Sequence, residues 1–253
     1  MRIALTGGSS GIGAAVLAKL KAEGHDVTAF DIAKPAAADA WIETDLSDPA
    51  SIDASLARVT GQFDALINNA GLPPREGLEV KILEVNWFGL VRLFDGMLDR
   101  MSDGGSVVNV ASRAGALWRE NLAEVQELRS LAREDTGDFV KRKSMDATRA
   151  YNLSKEAVIV MTIARTEEMI NRGLRMNAVS PAAVSTGILE DFMKAFGPRV
   201  ARNIERAGRA GTPEEVADVI AFLVSRDSHW IKGQDIAIDG GTGSMAMTDM
   251  MEL

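Results

Sequence analysis

Short apolar runs alternate with longer amphipathic segments along almost the whole chain. Six of these runs, rich in Val, Ile and Leu, have the length expected for strands that are buried on both faces. They are Ile3–Leu5, Val27–Phe30, Ala65–Ile67, Val107–Val110, Met176–Val179 and Ile236–Ile238. Helical patterns lie between them, at Ala14–Glu23, Ile52–Thr60, Val85–Met101, Asn152–Asn171 and Glu214–Val224. This alternation predicts an α/β fold with a doubly wound parallel sheet that has helices on both faces.

The composition narrows the class of protein. The chain has 253 residues, of which 28 are basic and 36 acidic, and its net charge of −8 argues against a nucleic-acid binder. A hydrophobic fraction of 46% is too high for a disordered protein. No apolar run reaches the ~18–20 residues of a membrane helix. The absence of Cys excludes disulfides, thiolate metal sites and thiol nucleophiles. No metal site is predicted, and we expect a cytoplasmic globular protein.

The chain contains no internal repeat or low-complexity linker, which predicts a single domain over residues 1–253. Two segments interrupt the alternation, and both are predicted to be helical excursions from the sheet. Trp118–Lys143 is charged, has helical spacing and is predicted to end at a turn over Asp135–Asp138. Ala182–Gly211 mixes apolar residues with four arginines. The Met-rich tail either covers a neighbour's pocket or is disordered, and the sequence leaves both possibilities open.

A glycine-rich turn connects the first strand to the first helix. Its sequence from Thr6 to Gly13 is TGGSSGIG, followed directly by the helix-forming run Ala14–Leu20. Glycines allow the backbone to turn sharply and to approach a pyrophosphate, which then lies at the positive end of the following helix. The position of this turn between a strand and a helix therefore predicts a dinucleotide site.

Asp31 ends the second strand, 18 residues after Gly13. This is the spacing of an acid that binds the 2′-hydroxyl of an adenosine ribose. A carboxylate there would repel the 2′-phosphate of NADP by ~3 kcal/mol at 5–6 Å and an effective dielectric of about 20. Lys34 is the nearby cation and is expected to be solvated. We therefore predict NAD as the cofactor, with NADP disfavoured.

Tyr151 and Lys155 are four residues apart, which places both on one face of a helix. A phenol has an ordinary pKa near ~10 and is a poor base at neutral pH. An ammonium at ~6 Å would stabilise the phenolate by ~3 kcal/mol, or ~2 pKa units. An oxidised nicotinamide would add a second positive charge, and the two together would bring Tyr151 into the range in which it can take a hydroxyl proton. The pair thus predicts a general base for a substrate hydroxyl, although such pairs also occur as ordinary surface packing.

Two further polar residues are candidates for the same site. Ser112 follows the strand Val107–Val110 at the carboxyl end of the sheet, where it can hold a substrate oxygen or cap a helix. Asn86 is an amide in an apolar helical segment, where it either orders a proton-relay water or satisfies backbone groups.

These motifs, taken in order, resemble the short-chain dehydrogenase/reductase family over nearly the whole chain. The resemblance rests on Thr6–Gly13, Asp45–Leu46, Asn68–Gly71, Asn86, Ser112, Tyr151 with Lys155, Pro181–Thr186, Thr212–Ala217 and Asp239–Gly241. It implies a Rossmann fold with Ser112, Tyr151 and Lys155 as catalytic residues and Asn86 as a fourth member. The residues that it implies for cofactor binding, with those of the glycine-rich turn, are Gly7, Ser9, Ser10, Gly11, Ile12, Gly13, Asp31, Ile32, Asp45, Leu46, Asn69, Ala70, Gly71, Tyr151, Lys155, Pro181, Val184 and Thr186.

The chain departs from the family pattern at several positions. Ala182 stands where the family usually has glycine, and 39 positions separate Ser112 from Tyr151, a longer interval than is usual. The intervals from Asp31 to Asp45 and from Gly71 to Asn86 are shorter than usual. This combination resembles the bacterial 3α-hydroxysteroid dehydrogenase/carbonyl reductases and the coniferyl-alcohol dehydrogenases.

The insert, residues 113–150, is expected to lie over or beside the substrate cleft or the helix Tyr151–Asn171. The alternative is an amphipathic surface segment that is exposed to solvent and has no such role. The family uses that helix for a four-helix contact between subunits. A helical insert beside it would block this contact. The protein is expected to be a homodimer or a homotetramer, and of these we predict a dimer through the C-terminal strand and the helix Glu214–Val224.

Residues 182–211 occupy the position of the family's substrate lid. The apolar side chains there predict a bulky hydrophobic substrate, or else belong to an ordinary core-facing helix. The lid arginines either meet an anionic group or face solvent.

The combined prediction is an NAD-dependent enzyme that interconverts a small hydrophobic alcohol, cyclic or aromatic, and its ketone or aldehyde. The alternatives are an NADPH-dependent carbonyl reductase and a non-catalytic NAD-sensing protein on the same fold.

Overall fold

Seven parallel strands form one sheet in the computed structural model, which describes residues 1–252. The strands are β1 (Arg2–Thr6), β2 (Asp26–Asp31), β3 (Ala40–Glu43), β4 (Phe63–Asn68), β5 (Met101–Val110), β6 (Arg175–Pro181) and β7 (Asp235–Ile238). Their order across the sheet is β3-β2-β1-β4-β5-β6-β7. The chain thus moves outward in one direction from β1 to β3 and in the other from β4 to β7, which confirms the doubly wound sheet.

Helices cover both faces of this sheet. They are α1 (Gly11–Ala22), α2 (Pro49–Ala57), α3 (Glu79–Leu83), α4 (Leu90–Met97), α5 (Leu122–Ser130), α6 (Thr136–Arg142), α7 (Ala147–Ala164), α8 (Thr166–Asn171), α9 (Leu189–Phe196), α10 (Pro198–Ala207), α11 (Pro213–Val224) and α12 (Thr242–Met251). None of these helices combines the length and the apolar character needed to cross a bilayer.

Alternate side chains of each strand enter two separate cores. On β4, Leu66 packs into the core shared with α4 and α7, whereas Ala65 and Ile67 pack into the core shared with α1 and α11. Adjacent strand residues point to opposite faces, so a strand with helices on both sides must be apolar at every position. This explains the uninterrupted apolar runs in the sequence.

The structure corrects several predicted boundaries. Strand β3 was missed because it is a short edge strand whose residues Ala40–Glu43 include a single buried one, Ile42. The predicted helix Val85–Met101 contains a π-helical turn over Glu84–Gly89, followed by α4, and Met101 already belongs to β5. The predicted helix Asn152–Asn171 is two helices, α7 and α8, that meet at Arg165.

Two further predictions concern the segments outside the sheet. The predicted turn over Asp135–Asp138 is wrong, because Thr136 begins helix α6. The Met-rich tail, for which the sequence left the structure open, forms helix α12. The excursion over 182–211 is helical as predicted, since it contains α9 and α10.

The order of the strands determines where a ligand can bind. The chain reverses its direction of winding between β1 and β4, which lie side by side. Loops that leave the carboxyl ends of these two strands turn away from each other, and a crevice opens between them. The predicted motifs at Gly7, Asn69, Ser112 and Pro181 lie at this edge, because they follow or end β1, β4, β5 and β6.

Candidate active site

One cavity of about 790 Å³ lies at the carboxyl edge of the sheet. Every residue predicted from the sequence to bind a cofactor contributes to its wall, and so do Ser112, Tyr151 and Lys155. These residues come from seven separate stretches of the chain, which only the fold brings together. Asn86 is the one predicted catalytic residue that does not line the cavity.

The glycine-rich turn forms the floor of one end of the cavity. Gly7 has a φ of +70°, and a Cβ added there would lie 2.8 Å from the Cα of Ala70. At Gly13 a Cβ would lie only 1.8 Å from the carbonyl oxygen of Gly7. Both positions therefore require glycine, because any side chain would force the turn away from β4 or away from α1.

The turn leaves the N-terminus of α1 open toward the cavity. Ser10 is the N-cap residue but its side chain makes no capping hydrogen bond, and the first turn has no acidic residue. The first backbone N–H groups of a helix lack acceptors within the helix, and they carry a partial positive charge. This end of the cavity therefore fits the pyrophosphate of a dinucleotide.

The carboxylate of Asp31 lies in the cavity wall beside the turn. Its Oδ2 accepts a hydrogen bond from the backbone N–H of Ser9 at 2.8 Å, and its Oδ1 accepts one from Ala33 at 3.0 Å. Asp31 thus holds the glycine-rich turn against the end of β2. Each carboxylate oxygen retains a further lone pair, so the residue fits a ribose hydroxyl as well.

Asp45 is fixed in the same part of the cavity by Ser47. Its Oδ1 accepts hydrogen bonds from the backbone N–H and the hydroxyl of Ser47, both at 2.7 Å. Burial raises the pKa of Asp45, but these hydrogen bonds and the charges of Lys81 and Arg133 outweigh it and hold the pKa below its usual value. The carboxylate therefore stays ionised.

Tyr151 and Lys155 face the cavity from one side of α7, as their spacing predicted. The Lys155 Nζ lies 5.7 Å from the centre of the Tyr151 ring and donates a hydrogen bond of 2.8 Å to the carbonyl oxygen of Val110. Both side chains are buried, with 6% and 5% of their surface exposed. Their burial removes both ionisable groups from bulk water.

Burial acts on the two pKa values in opposite directions. It raises the pKa of Tyr151 to about 12, against the smaller effect of a hydrogen bond with Ser112 that lowers it. It lowers the pKa of Lys155 to about 8. In the protein without ligands, desolvation opposes both charged forms and outweighs the attraction between Lys155 and the phenolate. The combined effect of Lys155 and an oxidised nicotinamide on the Tyr151 pKa stays a prediction.

The hydroxyl of Ser112 caps a short turn, which is one of the two roles that the sequence left open, and its role for a substrate oxygen stays a prediction. It accepts a hydrogen bond of 3.2 Å from the backbone N–H of Ala114 and so caps the short turn Arg113–Gly115. It also lies near the Tyr151 hydroxyl, where it acts to lower the pKa of that phenol. A Cβ added at Gly115 would lie 2.8 Å from the Lys155 carbonyl carbon, so this turn packs tightly on α7.

Asn86 lies behind the cavity wall, on the π-helical turn. Its Oδ1 accepts a hydrogen bond of 2.7 Å from the backbone N–H of Leu72, and its Nδ2 donates one of 3.0 Å to the Leu72 carbonyl. The side chain is fully buried. Of the two uses that the sequence left open, the structure shows the one in which the amide satisfies backbone groups.

Family models match this chain in two consecutive stretches. Residues 2–123 match the model described as short chain dehydrogenase, and residues 136–243 match one described as Enoyl-(Acyl carrier protein) reductase. A coniferyl-alcohol dehydrogenase from Pseudomonas sp. (strain HR199 / DSM 7063) is 36% identical over 96% of both chains. The chain belongs to the short-chain dehydrogenase/reductase family. It is therefore an oxidoreductase that acts on CH–OH groups.

Other members of this family support the same assignment. The 3-alpha-hydroxysteroid dehydrogenase/carbonyl reductase of Comamonas testosteroni is 31% identical over 94% of this chain and 95% of its own length. The crystal structure of the 3-alpha-hydroxysteroid dehydrogenase from Pseudomonas sp. B-0831 complexed with NADH has a TM-score of 0.82 and 31% identity, and covers 99% of this chain and 98% of its own. The resemblance seen in the sequence is thus confirmed.

Helices α9 and α10 form one wall of this dehydrogenase's cavity. Phe192 and Phe196 line the cavity with rings that are nearly parallel, with centroids 6.3 Å apart. Two of the lid arginines are in ion pairs, Arg206 with Asp249 and Arg209 with Glu215. Arg199 lines the cavity and is exposed. Helices α9 and α10 therefore present both aromatic and cationic groups to the cavity.

The insert packs against α7, one of the two locations that the sequence predicted. Asn121 Nδ2 donates a hydrogen bond of 2.7 Å to Glu156, whose side chain is 1% exposed. Arg149 connects Glu156 with Glu124 on α5 through hydrogen bonds of 2.6–3.0 Å. In the middle of the insert, Arg133 pairs with Glu84 at 3.1 Å. The insert thus covers the side of α7 that carries Glu156.

The sequence analysis missed several side chains in the cavity wall. Arg113 follows Ser112 directly and pairs with Asp239 at 3.1 Å, and Asn152 follows Tyr151. Asn152 is three residues before Lys155, so helical spacing alone could have placed it on the same face. No spacing rule could have found the pairing of Arg113 with Asp239, because these residues come from distant parts of the chain.

Proposed function

We propose that this enzyme uses NAD to interconvert a hydrophobic, ring-bearing alcohol and its ketone or aldehyde. The observation that carries the proposal is the position of Tyr151. Its buried side chain lies between Lys155 and Ser112 in a cavity that has the glycine-rich turn at one end and the rings of Phe192 and Phe196 in another part of its wall. A dinucleotide and a hydrophobic alcohol can thus share one cavity.

The roles of the residues follow from their contacts. When bound, NAD⁺ supplies the acceptor for the hydride that leaves the alcohol carbon. Tyr151 takes the hydroxyl proton in the same step, and Ser112, which lines the same cavity, holds the substrate oxygen. Lys155 stabilises the phenolate that forms and binds the ribose next to it. Asn86 fixes the backbone at Leu72 by a hydrogen bond. If Asn86 takes part in a proton relay, it does so by positioning this backbone.

Asp31 supports NAD rather than NADP. Its carboxylate lines the cavity, and the residues that surround it there, Ser9, Ser10 and Ile32, carry no positive charge to hold a 2′-phosphate. The related structure with a TM-score of 0.82 was solved with NADH. We expect Asp31→Ala to lower the affinity for NAD and to raise that for NADP, as measured by fluorescence titration. Stronger binding of NADP than NAD by the wild type would reverse the assignment.

The Tyr151→Phe substitution tests the reaction itself. We expect the variant to retain less than a few per cent of wild-type turnover on hydrophobic alcohols, followed as NADH absorbance, because the proton acceptor is lost. Its NAD affinity should stay within about threefold of wild type, since the ring is retained. Wild-type protein that binds NAD tightly but oxidises no alcohol in a panel would instead indicate a non-catalytic sensor.

The quaternary structure and location belong to the same proposal. The insert covers part of α7, whereas β7 forms an edge of the sheet and Phe222 on α11 is 42% exposed. These observations support a homodimer through β7 and α11. Light scattering of Phe222→Asp should then show a monomer, and a tetramer that buries α7 would contradict it. A cytoplasmic location stays a prediction from the cysteine-free composition.

A further inference from the structure

The insert extends one side chain to a loop that is distant in the chain. Arg133 begins the short helical turn Arg133–Asp135, and its Nη2 donates a hydrogen bond to the backbone carbonyl of Ser47. The same nitrogen lies 3.1 Å from a carboxylate oxygen of Glu84, the first residue of the π-helical turn. The Thr136 hydroxyl donates a hydrogen bond of 2.6 Å to the Arg133 carbonyl, which fixes the backbone that carries this side chain. Arg133 therefore joins three separate segments of the chain.

The loop that Arg133 contacts, residues 44–47, forms part of the cavity wall. It follows β3 directly, and its first backbone N–H, that of Thr44, donates a hydrogen bond of 3.1 Å to the carbonyl of Asp31. The next two residues, Asp45 and Leu46, line the cavity together with Asp31. The 44–47 loop therefore belongs to the part of the cavity that we assign to the adenosine half of the dinucleotide.

The π-helical turn packs against the other side of this loop. Gly89, the last residue of the turn, lies so close to the carbonyl oxygen of Leu46 that a Cβ at position 89 would overlap it. Glu84, at the start of the same turn, pairs with Arg133. The loop is thus held between the π-helical turn and the insert, and Arg133 contacts both the loop and the turn.

Ser47 transmits this contact to the cavity. Its carbonyl accepts the hydrogen bond from Arg133, whereas its backbone N–H and its hydroxyl both donate to Asp45 Oδ1 at 2.7 Å. Loss of the guanidinium would free the Ser47 carbonyl and with it the group that orients the Asp45 carboxylate. A loop that is ordered in only a fraction of the molecules raises the apparent Kd of its ligand by the inverse of that fraction.

We propose that Arg133 is a positioning residue for the adenosine half of the cofactor. It holds the 44–47 loop against the π-helical turn, so that Asp45 and Leu46 are in place before the cofactor binds. Arg133 does not line the cavity itself and acts through Ser47. The inference rests on the proposed dinucleotide site, and it gives the insert a role in cofactor binding besides its packing against α7.

Binding of ADP-ribose, which is NAD without the nicotinamide, tests the inference apart from turnover. We expect Arg133→Met to raise the Kd for ADP-ribose about tenfold in titration calorimetry, as for a loop that is ordered in about one molecule in ten. The kcat at saturating NAD should stay within about twofold of wild type, because Tyr151 and Lys155 lie on α7 and not on this loop. An unchanged Kd, or a loss of kcat as large as the loss of affinity, would overturn the inference.

Hydrogen exchange of the loop provides a second readout. The backbone N–H groups of residues 44–48 should exchange several-fold faster in Arg133→Met than in the wild type, and saturating ADP-ribose should remove the difference. Exchange in strand β1 should stay the same in both proteins, which separates a change in the loop from a change in the whole fold. Equal exchange of residues 44–48 in the two free proteins would contradict the proposed role.

Two further variants complete the test. Arg142→Met is the matched control, because Arg142 also belongs to the insert but pairs at 2.7 Å with Glu127, which lies within the insert as well. Its Kd for ADP-ribose should stay within about twofold of wild type. Arg133→Lys retains the charge but not the planar group of donors, and we expect a rise of about threefold. If Arg133→Met does not fold, Arg133→Lys replaces it, and an unchanged Kd then overturns the inference.

Failure of the inference differs from failure of the proposed function. If the wild type binds ADP-ribose and Arg133→Met binds it equally well, the role of Arg133 is wrong and the dinucleotide site stands. If the wild type binds neither ADP-ribose nor NAD, the proposed cofactor fails and the inference with it.

Discussion

The ring of Phe192 stands edge-on against the ring of Tyr151, with centroids 5.3 Å apart and planes inclined by 71°. Phe192 belongs to the lid helix α9, whereas Tyr151 belongs to α7 in the body of the enzyme. Edge-to-face pairs contribute about 0.5–1.5 kcal/mol beyond the area that they bury. The lid thus makes direct contact with the side chain that we assign to proton transfer.

Removal of the Phe192 ring should weaken binding of large substrates selectively. We expect Phe192→Ala to raise the KM for a ring-bearing alcohol about tenfold, because an aromatic contact of about 1.4 kcal/mol is lost. The KM for a small aliphatic alcohol should change less than about twofold. Phe192→Leu, which retains an apolar side chain, serves as the control with an intermediate effect. Equal losses on both alcohols would show that the ring acts only in folding.

A second contact ties the lid to the opposite side of the cavity. Arg75, in the segment that follows β4, donates from Nε and Nη2 to the two carboxylate oxygens of Asp191 on α9, at 3.0 and 2.9 Å. Arg75 is half exposed, and exposed pairs contribute about 0–1 kcal/mol. We expect Asp191→Asn to raise the substrate KM about two- to fivefold at low salt. This difference from wild type should shrink in high salt, where screening weakens the pair.

The charge-reversed double variant separates this ion pair from general damage to the lid. If the pair holds the lid, Arg75→Asp combined with Asp191→Arg should recover most of the affinity that either single variant loses. The hydrogen bond from Arg75 lowers the pKa of Asp191. The pair is therefore complete above the usual carboxyl pKa and is lost as pH falls through this lowered value. If the double variant does not recover affinity, the ion pair between Arg75 and Asp191 does not hold the lid.

Lys155 should reduce stability while it supports activity. Burial lowers its pKa from 10.5 to about 8, which corresponds to a cost of about 3 kcal/mol when the buried group is charged. We expect Lys155→Met to abolish turnover but to raise the free energy of unfolding at pH 7 by about 1–3 kcal/mol, as measured by urea denaturation.

The pH dependence of stability gives the sign of this effect. Between pH 8 and 10.5 the folded protein releases the Lys155 proton while the unfolded chain retains it, so wild-type stability rises relative to Lys155→Met. Tyr151 acts in the opposite sense only above pH 10, because burial raises its pKa to about 12. A stability difference that does not change from pH 7 to pH 10 would show that Lys155 is not desolvated.

The ion pair under the insert should be essential to the fold of α7. Glu156 is 1% exposed and bonds Arg149 at 2.6 and 3.0 Å. Breaking a buried pair from one side costs about 3–5 kcal/mol, because the other charge remains uncompensated. We expect Arg149→Met to destabilise the protein by this amount in denaturant unfolding. The double variant Arg149→Met with Glu156→Leu should be more stable than the single one, and the opposite order would contradict the argument.

Elements with a strong local signal were predicted from the sequence. The buried strands need apolar residues on both faces, and the turn at Gly7–Gly13 needs glycines, so both are visible as short patterns. Strand β3 carries no such pattern, because it is an edge strand that is held by pairing with β2 along its length. These residues form a strand because they pair with β2, and a local sequence pattern does not show such a partner.

The candidate site divides in the same way. Ser112, Tyr151 and Lys155 could be proposed from the sequence. The four-residue spacing of Tyr151 and Lys155 places them on one helix face, and the order of the family's motifs points to Ser112. The direction of the Tyr151 pKa shift was not predictable, since desolvation depends on everything that packs around the phenol. The position of Asn86 behind the wall likewise depends on the course of the Leu72 backbone.

The amino-acid sequence by itself determined the class of the fold and the glycine-rich turn, and it supplied the candidates for the reacting side chains, because these depend on backbone sterics, helical periodicity and side-chain chemistry within a few residues. Three features were decided only by the tertiary structure. They are the desolvation of the Tyr151 phenol, the contact of Arg75 with Asp191 and the lack, among residues 1–252, of a hydrogen-bond donor for the Asn152 oxygen. Each of these depends on contacts between residues far apart in the chain, and their distances are set only when the sheet and its two helical layers have assembled.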